Sequence, residues 1–145
     1  MRHKCIVLGS LCIVLGVLTF IWWHSMQPGT VSHAESERVL ALVMTYVQGT
    51  AVAPYLDDWA IRRSAHLAEY LVLGCSMSWF SMLQSGRPRK KWVLLLGICI
   101  AAIDEYIQQF SGGRTATWHD VVWDSVGCSV GIVMMAIGRM VTRHR

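Results

Sequence analysis

Apolar residues along the chain gather into four long runs separated by shorter polar connections. The first run, "CIVLGSLCIVLGVLTFIWW" from Cys5 to Trp23, holds no charged residue and ends on a tryptophan pair. About 20 apolar residues cross a bilayer as a helix and tryptophan favours the interface, so this run predicts a spanning helix. Arg2, His3 and Lys4 precede it, as they would a cleaved leader. The run is longer than a leader core and no small-x-small cleavage pattern follows, which favours a retained helix. Further spans are predicted at about residues 64–83, 92–110 and 119–140. The longest connection, 24–61, contains "RVLALVMTYVQGTAV", apolar enough for a helix lying on a membrane but short for a span. Its start signals are Ser32 to Glu35, or Ser36. The expected fold is an all-α membrane protein, one domain over residues 1–145. It has four transmembrane helices and a short surface helix in the first extracytoplasmic loop.

Composition agrees with that pattern. A chain of 145 residues with a hydrophobic share of 54%, 15% charged residues and mean hydropathy +0.42 is too poorly charged for an ordinary soluble domain. Its net charge of +4 does not ask for nucleic acid. The position of the cations says more. Four crossings put both termini on one side, where Arg2, Lys4, Arg87, Arg89, Lys90, Lys91, Arg139, Arg143 and Arg145 would gather. Arg38, Arg62, Arg63 and Arg114 fall opposite. The positive-inside rule assigns the first group, and both termini, to the cytoplasm. The five cysteines lie within apolar runs without CxxC or metal-ligand spacing, so neither a disulfide framework nor a metal site is expected from them.

Under this topology the polar residues inside the runs share one depth. His66, Glu69 and Tyr70 begin the second span, Asp104, Glu105 and Gln108 end the third, and His119, Asp120 and Asp124 begin the fourth, all on the outer side. Asp104 and Gln108 are i, i+4 neighbours, and Asp120, Asp124, Gly127 and Gly131 form one stripe, polar above and glycine below. The glycines would let a neighbouring helix approach while the aspartates face a shared cleft. Each group also has a plain structural reading: His66 as a packing hydrogen bond, Glu69 and Asp120 as helix-dipole partners, Arg87 to Lys91 as a topology signal. Ionisable groups within a span cost on the order of 2.5–3.5 kcal/mol at its centre, and these plain readings leave their convergence unexplained. The cluster is therefore read as a functional site, with Arg62, Arg63 and Arg114 placed to pair with carboxylates or an anion.

At these residues the chain resembles the VanZ-like family of bacterial membrane proteins. The likeness runs through "IRRSAHLAEYLVLG", "DEYIQQFSGGR" and "HDVVWDSVGCSVG" in order, with "QPGTVSHAES" similar to one subgroup. It carries over to Arg63, His66, Glu69, Tyr70, Asp104, Glu105, Gln108, Arg114, Asp120 and Asp124. The sequence departs at Ile107, where many relatives have a histidine, and at Gly112, often proline; His119 would have to stand in for that histidine. The resemblance implies the bacterial inner membrane and a role at the cell envelope, since the family takes its name from a protein associated with low-level resistance to teicoplanin. As an enzyme, the chain would use His66, Asp104, Glu105 and Asp120 as acid–base candidates on a lipid-linked or phosphorylated envelope precursor. Arg63 and Arg114 would clamp the anion, with Glu69, Tyr70, Gln108 and Asp124 completing the binding set. No serine or cysteine nucleophile motif is evident; the carboxylates could hold a divalent metal, although their spacing is not diagnostic of one. As a non-catalytic protein, it would use the same groups to bind membrane lipid or a precursor, or to fasten its helices together.

Overall fold

In a computed structural model, which describes residues 1–114 and 117–143, every regular element is helical. Thr115 and Ala116 of the last connection, and Arg145 of the cation set, lie outside the described residues. The elements are α1 (Arg2–Ser25), α2 (Gly29–Val47), α3 (Asp58–Ser85), α4 (Lys90–Gln108) and α5 (Trp118–Arg143), with a 3-10 turn at Ala53–Tyr55. Four of them cover the four apolar runs. Two, α1 and residues 118–142 of α5, are long and apolar enough to cross a membrane. The other two long helices carry more charge: Asp58, Arg62, Arg63 and Glu69 on α3, and Lys90, Lys91, Asp104 and Glu105 on α4.

The boundaries have local causes. Asp57 caps α3 by accepting the Ala60 amide at 2.7 Å, so this helix starts six residues before the apolar run read from Ser64. It ends at Gly86, whose φ of +69° suits glycine and whose amide returns to the Met82 carbonyl. The second helix departs from expectation at both ends. It begins at Gly29, after Pro28, and stops at Val47 before Gly49 turns left-handed at φ +84°. None of the expected serine caps is used: the Gly29 amide donates to the Gly112 carbonyl at 2.8 Å, and the Ser36 hydroxyl faces the helix interior and Asp58.

Helices α3 and α5 form the closest packing, and glycine is the reason. Gly127 lies against the Leu67 backbone and Gly131 against Leu71 and Cys75, so close that an added Cβ would stand 2.5 Å and 2.3 Å from carbonyl oxygens. Gly74 returns the favour on α3, facing the Cys128 backbone. Helix α4 rests on α5 where Gly97 meets the Cys128 sulfur, and α1 lies along α3 and α4. Arg139 near the end of α5 donates to the Gly86 carbonyl, which puts the α3–α4 connection beside the C-terminal end of α5. At the opposite end the last turns of α1 and α4 meet the first turns of α3 and α5.

The interior is more polar than the exterior. Among the described residues the buried set holds twelve polar or charged residues against eight apolar ones. Ile6, Leu15, Phe20, Trp92, Leu96, Val133 and Ile137 meanwhile face outward.

Candidate functional site

The polar end of the bundle is built by four elements. The stripe on α5 turns Asp124 inward, fully buried, and sets Asp120 one turn above it at the rim. The last two turns of α4 bury Asp104, Glu105 and Gln108, and the following turn buries Ser111 and Arg114. Helix α3 brings Arg63, His66, Glu69 and Tyr70, and α1 ends on His24 and Ser25.

Some of these groups are paired and so fasten helices. Glu69 Oε1 and His24 Nδ1 share a 2.7 Å hydrogen bond, in which a protonated Nδ1 donates to the carboxylate, tying α3 to α1. Arg63 meets Asp120 at 3.3 Å and lies 3.7 Å from the centre of the Trp59 ring, a cation–π contact that holds the guanidinium at the rim. Gln108 donates to Asp104 Oδ2 at 3.2 Å and to the Ser25 hydroxyl at 3.4 Å, and Ser111 donates to the Ser25 carbonyl at 2.8 Å. The Thr117 amide donates to Glu105 Oε2 at 3.0 Å, and the Thr117 hydroxyl to Asp120 at 2.7 Å.

Other groups are buried with nothing to bond. Among the described residues, both oxygens of Asp124, Oδ1 of Asp104, Nδ1 of His66, the Tyr70 hydroxyl, Oε2 of Glu69, and Nε and Nη1 of Arg114 have no hydrogen-bond partner. A native interior leaves few such atoms, and those it leaves need a reason. His66 Nδ1 and Asp124 Oδ1 approach to 3.7 Å, beyond hydrogen-bond length. Burial, and then the charge of Arg62, pull the Arg114 guanidinium below its usual pKa.

Two hollows adjoin this cluster. A narrow one of about 50 Å³ opens between α3, α4 and α5, with Arg63, Glu105, Asp120 and Asp124 on its walls. A larger one of about 490 Å³ lies between α2, the start of α3 and the end of α1, with Val39, Val43, Ile61 and Ala65 giving it an apolar lining. Arg62 and His66 border both.

All ten site residues read from the sequence thus lie at one end of the bundle. His119 does not join them: it is exposed, with its ring centred 3.6 Å from that of Trp118. The reading missed His24 and Ser25, which belong to the cluster, and the outer link of α2 to α3. There His33 Nδ1 lies 2.7 Å from Asp58 Oδ2, and Ser36 donates to the other carboxylate oxygen. Burial raises the Asp58 pKa, but the hydrogen bonds from Ser36 and His33, with the charges of His33 and Arg62, outweigh it and hold the carboxyl below its usual range. The one available signal for His24 was its place just beyond the Trp22–Trp23 pair, at the depth of the other polar groups.

Compared with known proteins, the chain matches a family model described as VanZ/LLP1 over residues 10–139. No curated protein and no solved structure matches it.

Proposed function

Because the chain belongs to the VanZ/LLP1 family, we propose that it is a four-span protein of the bacterial inner membrane whose outward-facing cleft binds the anionic head of a lipid-linked envelope precursor. Both termini are cytoplasmic in this reading, α2 lies along the outer surface, and bound precursor alters susceptibility to glycopeptides such as teicoplanin. The distribution of polarity supports membrane embedding: apolar side chains face out and ionisable ones face in, the arrangement lipid demands. In that setting the charges on α3 and α4 that set these helices apart sit at helix ends or inside the bundle.

The observation that carries the ligand reading is the shared border of the two hollows. His66 and Arg62 separate a small, charged pocket from a larger, mostly apolar groove. A phosphorylated head and a hydrocarbon tail would each find a matching surface there, with Arg62 and Arg63 on the small pocket's wall as cations for the head. The division between paired and bare groups supports a site as well as a scaffold. His24–Glu69 and Arg63–Asp120 join helices, whereas Asp124, Asp104 Oδ1 and His66 Nδ1 keep their bonding capacity free.

The test is teicoplanin susceptibility of cells expressing wild type, His66→Ala, Asp104→Asn or Glu105→Gln, with membrane abundance measured in the same cells. Variants present at wild-type level that lose a wild-type effect support the reading. Susceptibility that follows abundance alone reduces the cluster to a fastening, and a wild type without effect removes the glycopeptide role.

A further inference from the structure

The bare atoms of the cluster converge. His66 on α3, Asp104 on α4 and Asp124 on α5 each turn one potential ligand atom to a common point, all within 4.8 Å of one another. Asp104 and Asp124 have no exposed surface, Asp124 has neither oxygen bonded, and the free atoms of His66 and Asp104 face the same gap. Two buried carboxylates this close repel, and among the described residues neither Arg63, held by Asp120, nor Arg114 forms an ion pair with them. A proton would ease the repulsion but would not bridge the 3.7 Å between His66 Nδ1 and Asp124 Oδ1. A metal ion would: two bonds of about 2.1 Å span 3.7 Å at an angle of roughly 120°. Rotation of one carboxylate closes the widest separation.

We propose that His66, Asp104 and Asp124 bind one divalent first-row metal ion, Mn²⁺ or Zn²⁺, across three helices. One imidazole and two carboxylates suit these ions; the set has no thiolate for softer metals and too few oxygens for calcium. Gln108, donating to Asp104 Oδ2, fixes that carboxylate so that Oδ1 is the ligating atom, the kind of outer support that metal ligands require. Three protein ligands leave positions open, and His66 and Asp124 also line the small charged pocket. The ion would take a phosphate oxygen there, a step that rests on the cleft being the precursor site proposed above; the metal site itself does not.

The experiment uses the full chain purified in detergent, stripped with chelator, then titrated with Mn²⁺ and Zn²⁺ and followed by elemental analysis and Mn²⁺ electron paramagnetic resonance. The expected result is one ion per chain with imidazole nitrogen coupling. Affinity falls at least tenfold in Asp104→Asn and Asp124→Asn, the coupling is lost in His66→Gln, and the exposed remote carboxylate variant Glu37→Gln behaves as wild type. Unchanged binding in both asparagine variants overturns the proposal. Should those variants not fold, wild type decides: a chelator-reversible rise in Tm with one bound ion supports the site, and no ion overturns it. Polyprenyl phosphate separates the two claims. Protein that binds the ion but not this lipid keeps the metal site and loses the precursor reading, while lipid binding with no ion taken up does the reverse.

Discussion

Replacing Gly131 by alanine tests whether the contact of α3 with α5 is as tight as the geometry requires. The new Cβ would stand 2.3 Å from the Leu71 carbonyl oxygen and 2.8 Å from the Cys75 nitrogen, both backbone atoms that cannot rotate away. Reaching the 3.4 Å at which ordinary contact begins means parting the two helices by about 1.1 Å at that level. Overpacking of this kind costs about 1–3 kcal/mol, against the roughly 1 kcal/mol by which helix propensity favours alanine over glycine. The clash wins, so the folded-to-unfolded ratio should drop, by as much as about 30-fold at the upper end. Gly138 lies on the same helix with nothing within 4 Å of an added Cβ, so Gly138→Ala keeps the propensity gain without the clash. Thermal unfolding of the two variants in one detergent should place Gly131→Ala below wild type and Gly138→Ala at or above it. The reverse order, or equal loss in both, would refute the packing argument. Since His66 and Asp124 face each other across the same pair of helices, Gly131→Ala should also weaken ligand binding at the cleft.

Two further outcomes follow from the paired groups. Removing His24 deprives the largely buried Glu69 of a 2.7 Å partner, so His24→Ala should cost about 1.5–3 kcal/mol in unfolding measurements, and Glu69→Gln, which can still bond, clearly less. At the α2–α3 link, the Asp58 carboxyl is held below its usual range, so its contribution is complete above that range and is lost as pH falls through the lowered value. Hydrogen exchange should therefore show α2 loosening from α3 in acid ahead of α5; an acid step of the same size in Asp58→Asn would refute the link.

The four long helices were legible because an apolar run of helical length leaves little else to form, and the tight α3–α5 contact was legible in the Asp120, Asp124, Gly127, Gly131 spacing. The sharing of one end by His66, Asp104 and Asp124 followed from alternating chain direction. What stayed hidden depends on partners distant in the chain. Residue spacing gives no sign that Gly29 donates to Gly112, which is why α2 was read from its serines and begins earlier than they indicate. His24 and Glu69 stand 45 positions apart, and only the folded bundle brings them together. Nor could adjacency to Asp120 reveal that His119 turns outward onto Trp118.

The most direct measurement is binding of a labelled polyprenyl phosphate to the purified chain in lipid nanodiscs, beside Asp124→Asn and Arg63→Gln variants of matched helicity and elution. Wild type should bind saturably, both variants should bind at least tenfold more weakly, and a neutral polyprenol of the same length should bind poorly. Equal binding of the phosphate and the alcohol, or undiminished binding by both variants, would contradict the precursor reading.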